Sequence, residues 1–204
     1  GRYRSGTDTE VIIRAYEERG ERCVESLNGI FAFAVWDKKK EQLFVARDRL
    51  GVKPLYYAAH RGKFFFASEI KALLAAGVPA RPNERIIHEY LVTGFYDHRE
   101  ETFFDGVRQL MPGHTLRVKG GAVTISRYWH LPERVHALDD VGDRAHVDQF
   151  LSILENAVEI QLRSDVPVGL SVSGGLDSSL LTALVNRASG GQRNFELFHF
   201  AYAG

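Results

Sequence analysis

The 204-residue sequence holds a single cysteine, Cys23, and a single methionine. One thiol excludes an internal disulfide and any metal site built on several cysteines. Cysteine usage of this kind fits a reducing cytoplasm. An excess of charge of one sign is also lacking: Lys+Arg and Asp+Glu number 26 each, for a formal net charge of zero. That balance leaves no electrostatic footprint for nucleic acid or a membrane surface. The apolar runs are far too short to cross a bilayer. No secretory signal is visible, although the chain begins with Gly1 and not Met, so a missing true N-terminus is expected. Repeats and low-complexity segments are absent. What remains is 45% hydrophobic and 11% aromatic, enough for a core, in a length that suits one large or two small domains.

The stretch from Val166 to Ala188 carries the strongest chemical signal. Val166, Val168, Leu170 and Val172 suit a buried strand. Ser173, Gly174 and Gly175 then permit a sharp turn, and SLLTALVNRA reads as a helix whose positive end faces that turn. Strand, glycine turn and helix N-terminus together make an anion site, most often for phosphate. The P-loop pattern fails because no lysine follows the glycines, and GxGxxG is absent. Instead Asp177 sits in the cradle beside Ser173, Ser178 and Ser179. A carboxylate next to phosphates is repulsive unless a cation lies between them, which implies Mg²⁺. The alternative is a plain strand–helix turn with Asp177 or Ser178 as N-cap.

SGGLDSS resembles the pyrophosphate-binding loop of the PP-loop ATP-pyrophosphatase ligases. With the preceding SDVPVG, the pattern SDVPxGxxxSGGLDSS is similar to the start of the synthetase domain of glutamine-hydrolysing asparagine synthetases, over about fifteen consecutive positions. That resemblance implies cleavage of ATP between the α and β phosphates, with AMP passed to a substrate carboxylate. It assigns Ser173, Gly174, Gly175, Ser178 and Ser179 to pyrophosphate, Asp177 to Mg²⁺, and Val172 to the nucleotide. Tyr202, at the end of the next strand, is expected at adenine. Both strand ends would lie in the usual ligand crevice of a parallel sheet. The neutral charge counts against tRNA-modifying relatives.

Earlier in the chain, Thr7 and Glu10 have capping-box spacing and predict a helix that Gly20 closes. Asp8 would then be a partner of the helix dipole. ERCVESL continues as a helix with Cys23 as a small packing residue. LNGIFAFAVWD and QLFVARD predict two strands across a turn at Lys38–Lys40, and LYYAA and KFFFASE a second hairpin around Arg61 and Gly62. In the loop RDRLGVKP, Arg47 and Asp48 suggest an ion pair. EIKALLAAG and ERIIHEYLVTG read as helices closed by Gly77 and Gly94. TFFDGVRQLMPGHTLRV and AVTISRYW are strand-like around Gly120 and Gly121. LPERVHALDDVGD reads as a polar, mobile loop. Val147, Phe150, Leu151, Leu154, Ala157, Val158 and Leu162 recur at helical spacing. His130, His136 and His146 fit no compact metal-ligand motif.

GTDTEV, LNGIFAFAVWD, ARDRLGVKPLYY and FASEIKALL, in this order over residues 6–74, resemble the second half of a class II glutamine amidotransferase domain of the N-terminal-nucleophile fold. QLMPGHTL followed by RYW is similar to the interdomain segment of asparagine synthetases. The resemblance implies that Asp8 holds the α-amino group of glutamine, in competition with its helix-dipole reading. It leaves Arg47, Asp48, Gly51, Lys53 and Pro54 mainly architectural. The family's nucleophile is an N-terminal cysteine, and Gly1 is not that residue. No catalytic residue is therefore expected within this chain, and glutamine hydrolysis by it is not expected.

The expected fold is an α+β, N-terminal-nucleophile-type amidotransferase part (antiparallel sheets with helices, residues 1–115). A linker (116–142) and an α/β parallel-sheet PP-loop part (143–204) follow, with both parts incomplete. The function implied by resemblance is ATP-dependent amidation of aspartate with ammonia from glutamine, through a β-aspartyl-adenylate. Glutamine, aspartate and ATP are the expected small-molecule partners, with Mg²⁺, without nucleic acid or membrane, and with a homodimer of the whole protein left open. Two other readings stay open: a related amide- or lactam-forming adenylating synthetase, and a non-catalytic interaction module that keeps the fold.

Overall fold

The computed structural model describes residues 4–131, 143–190 and 195–199. They fall into two compact units, Gly1–Glu133 and Arg134–Gly204. In the first, helix α1 (Asp8–Arg19) stops where Gly20 takes φ 60° and returns its N–H to the Tyr16 carbonyl. The helix predicted for ERCVESL is a tighter 3₁₀ turn over Gly20–Ser26, which buries Cys23 and Val24. Burial raises the Cys23 thiol pKa, so it is a packing residue and not a poised nucleophile.

Both predicted hairpins form. Strands β1 (Ala32–Asp37) and β2 (Gln42–Arg47) pair antiparallel. Their turn closes on Asp37, whose Oδ1 accepts the N–H of Lys39 at 3.0 Å and of Lys40 at 3.1 Å. Strands β3 (Tyr56–His60) and β4 (Lys63–Ala67) meet at Arg61 and Gly62, both at positive φ, as a two-residue hairpin turn requires. Helix α2 (Ile70–Ala75) follows. Helix α3 (Glu84–Thr93) starts at Asn83, whose side chain accepts the Ile86 N–H, and ends at Gly94 with φ 75°. Strand β5 (Arg108–Gln109) adds to β3, and β6 (His114–Lys119) pairs with β7 (Ala122–Arg127).

The sheets run β1-β2-β6-β7 and β4-β3-β5. Alternation along β2 joins them. Phe44 and Ala46 pack with Tyr16, Cys23 and Val24 on the helical side. Val45, on the opposite face, packs with Leu55, Tyr57, Leu110 and Leu116. Ala58, the neighbour of Tyr57, turns to Leu73 and Val78 at α2. The layers are therefore helix, sheet, sheet, helix. Each fully buried Phe, Leu or Val in this stack stabilises the fold by about 1.5–3 kcal/mol relative to exposure. The segment expected to begin a linker at 116 lies inside this sheet: β6 is central, and β7 pairs with it over its whole length. The first unit runs on through β7 because β6 supplies core through Leu116 and β7 pairs along it.

Arg47 and Asp48 fold the loop after β2. No ion pair forms between them, since neighbours at a strand end point to opposite sides. The Asp48 carboxylate, 2% exposed, accepts the N–H groups of Leu50 (3.1 Å), Val52 (3.0 Å) and Lys53 (3.0 Å). The Arg47 guanidinium donates to the carbonyls of Gly51, Lys53 and Leu110 and to the Gln109 side chain. Gly51 sits at φ 67°, and a Cβ there would lie 2.6 Å from Pro112.

In the second unit, helix α4 (Asp143–Gln161) covers the predicted apolar spacing. Val158 is buried against Leu184 and Val185, with Leu154, Leu162 and Leu170 around them, while Val147 and Phe150 stay exposed. The strand predicted over Val166–Val172 shortens to β8 (Gly169–Ser171) and is not buried. Pro167 has no N–H to give a ladder. Helix α5 (Leu176–Ala188) leads to β9 (Glu196–Phe198), parallel to β8. No helix among the described residues is long and apolar enough to cross a membrane. They hold no cluster of three or more His, Cys, Asp or Glu side chains suited to a metal. Most of the predicted polar loop, His136 within it, and Tyr202 lie outside the described residues.

Replacing Asp48 with Ala strips three loop N–H groups of their acceptor. It should lower the stability of the first unit by about 3 kcal/mol, measured as the urea midpoint. A midpoint equal to that of the unaltered protein would show that other contacts hold the loop.

Candidate functional site

Four stretches of sequence meet at one cleft in the first unit. The start of α1 gives Asp8 and Thr9, the run into β1 gives Phe31 and Phe33, the loop after β2 gives Lys53 and Pro54, and the end of β4 gives Ser68. The cleft encloses about 520 Å³. Asp8 is the first residue of the helix and is exposed. Its carboxylate takes part in no hydrogen bond or ion pair among the described residues. The positive end of the α1 dipole favours its charge, so its helix-dipole position and a ligand role are compatible. Lys53 was expected to be architectural. Its backbone is, held at the N–H by Asp48 and at the carbonyl by Arg47, but the residue also lines the cleft. The sequence signal for this was its place in the third of the four motifs.

The capping box predicted for α1 does not form. Thr7 makes no side-chain cap, and Glu10 reaches past it to the N–H groups of Arg4 (2.9 Å) and Ser5 (2.6 Å) and to the Ser5 hydroxyl (2.7 Å). The chain before the helix bends back over the first turn and presents these donors first. They hold the Glu10 pKa below its ordinary value, the Arg4 N–H most strongly. A depressed carboxylate pKa contributes stability in full above the unfolded value and loses it as pH falls through the folded one. Glu10→Gln should therefore flatten the stability profile only below about pH 4.5. Urea midpoints taken across that range check this, and an unchanged acid limb would count against the contact.

The second site is the turn between β8 and α5. Gly174 takes φ 80°, with nothing within 4 Å of the place where a Cβ would stand. Gly175 is the N-cap of α5, so neither Asp177 nor Ser178 has the capping role considered from sequence. Ser178 Oγ lies 3.2 Å from the Ser173 N–H and 3.1 Å from Ser173 Oγ. Ser173 Oγ in turn accepts the Gly175 N–H at 3.4 Å. The hydroxyls of Ser178 and Ser179 both donate to the Gly175 carbonyl, at 3.2 and 2.8 Å. The hydroxyl hydrogens thus brace the turn. The N–H groups of Leu176, Asp177 and Ser178, in the first turn of α5, have no partner within the helix. They face outward with the helix dipole behind them. Asp177 is exposed in that turn. Val172, half-buried, is tied by its N–H to the Phe198 carbonyl at 2.8 Å, and its carbonyl meets His199 Nδ1 at 2.7 Å. The sequence reading missed His199; only its place next to the end of β9 marked it. Tyr202 lies outside the described residues, so the turn is described without it.

Residues 1–129 match the family model for the glutamine amidotransferase domain. The chain belongs to this family. Residues 149–203 match the model for asparagine synthase, so the two resemblances read from the motifs are met in the same order along the chain. Among curated relatives, asparagine synthetase [glutamine-hydrolyzing] 3 of Bacillus subtilis is 44% identical over 87% of this chain and 29% of its own length. Amidase chry2 of Gibberella zeae is 34% identical over 88% of this chain and 26% of its own. The chain therefore spans less than a third of either. Among solved structures, the Bacillus subtilis glutamine phosphoribosylpyrophosphate amidotransferase complexed with ADP and GMP aligns over 98% of this chain and 40% of that one. The TM-score is 0.44 at 18% identity, a likeness too slight to bear on the fold.

Proposed function

We propose that this amidotransferase-family chain belongs to an ATP-dependent amidating ligase that draws its nitrogen from glutamine, with aspartate as acceptor and asparagine as product. The observation that carries the reading is the intact turn at Ser173–Ser179. Backbone donors without helical partners and the α5 dipole face outward there, beside a lone carboxylate on Asp177. Phosphate oxygens fit the donors. The carboxylate fits only with a cation between it and the phosphates. A single protein carboxylate is what Mg²⁺ commonly takes alongside phosphate and water. Bound there, the ion would neutralise phosphate charge as pyrophosphate leaves. In this reading the chain's own part is to orient the phosphates through the N–H groups of residues 176–178 and to keep the turn rigid through the serine hydroxyls.

In the first unit, Asp8 would receive the α-ammonium of glutamine, and the cleft would take the rest of the amino acid. Ammonia released there would attack the activated acceptor carboxylate and displace AMP. A cytoplasmic setting belongs to the same proposal, in keeping with a single buried thiol. A second reading, an amide-forming synthetase with another acceptor, is favoured by the relative named as an amidase.

Two substitutions test the two halves. Asp177→Ala should weaken ATP binding by about tenfold in the presence of Mg²⁺ and remove its dependence on that ion. Titration calorimetry with and without the metal reads this, and a retained Mg²⁺ dependence would remove Asp177 from the role. Asp8→Ala in the intact enzyme should raise the KM for glutamine by about tenfold or more while sparing turnover with free ammonia. Equal damage to both activities would make Asp8 structural.

A further inference from the structure

The anion turn needs a fixed root, and the structure shows what fixes it. Val172 is the last residue before Ser173. Its N–H donates to the Phe198 carbonyl at 2.8 Å, and its carbonyl lies 2.7 Å from Nδ1 of the His199 ring. A carbonyl oxygen only accepts, so Nδ1 must carry the hydrogen. Both backbone polar groups of Val172 are therefore held by consecutive residues at the end of β9. The next residue contributes the N–H that meets Ser178 Oγ and the hydroxyl that accepts from Gly175. Any tilt of the Val172 peptide would pass directly into Ser173 and from there into both glycines.

We infer that His199 is a positioning residue for the phosphate-binding turn: its Nδ1–H pins the Val172 carbonyl and so sets the direction in which Ser173–Gly175 leave the strand. The inference rests on the nucleotide-binding reading above. It adds a residue outside the SGGLDSS motif, directly after the other strand. The bond is exposed, so its loss costs little in folding while releasing the root of the turn.

The test uses the chain itself with Mg²⁺–ATP as probe. Affinity is read by calorimetry and folding by the thermal midpoint. His199→Ala should weaken binding by about three- to tenfold, the size of one net hydrogen bond, at a near-unchanged midpoint. His199→Asn places an N–H donor at the same branch point from Cγ as Nδ1, and it should recover affinity to within about twofold, a fraction of one hydrogen bond. An unchanged affinity in the Ala variant, or an Asn variant as weak as the Ala variant, overturns the role of His199. If the Ala variant fails to fold, the Asn variant decides: wild-type affinity supports the role and weak binding by a folded protein overturns it. Absence of binding by the unaltered chain would overturn the nucleotide reading and the role of His199 together, a result distinct from the other outcomes.

Discussion

One buried carboxylate organises the first unit. Asp48 is shut away from water, and the turn amides of Leu50, Val52 and Lys53 take up its charge. A buried charge is tolerable only when hydrogen bonds replace its water. Here that requirement dictates the path of residues 49–53. Arg47 works on the same loop from the carbonyl side and reaches Gln109 and Leu110 as well, so the loop is fastened to the C-terminal end of β5. Tyr128 completes the arrangement, with its hydroxyl donating to the Arg47 carbonyl at 2.8 Å. Burial raises the pKa of that phenol to about 12, so it stays a donor at any physiological pH.

The second unit solves a different problem. Its turn must leave backbone donors free, so rigidity has to come from elsewhere. Short side chains do this: serine hydroxyls close on a single carbonyl, and each glycine turns without a side chain in the way. In the first unit the backbone amides serve a protein carboxylate. In the second they are held open. The same donor chemistry therefore builds structure in one place and leaves an open site in the other.

Local chemistry made much of this legible in the sequence. The hairpins at Lys38–Lys40 and Arg61–Gly62, and helix ends at Gly20, Gly77 and Gly94, follow from turn residues and glycine's access to positive φ. Periodicity found α4, and motif spacing located Asp8 and the Ser173–Ser179 turn. Features that depend on distant partners were not legible. The Glu10 carboxylate chose donors outside the helix over its predicted capping partner. Arg47 and Asp48 looked like a pair, and only the strand's alternation sent them to different partners. The segment from 116 looked like a connection because its place in the sheet depends on pairing with β2, far away in sequence. His199 had no local pattern at all; its bond to Val172 spans 27 positions.

Gly174 and Gly51 both adopt the left-handed backbone, yet a Cβ would crowd Pro112 at one and meet empty space at the other. Asparagine tolerates that backbone at modest cost. Drift from glycine to asparagine at position 174 would therefore pass almost unnoticed in a melting curve while setting a side chain in the mouth of the turn. Selection on that glycine would have to act through whatever occupies the space in front of it, and fold stability alone would not preserve it.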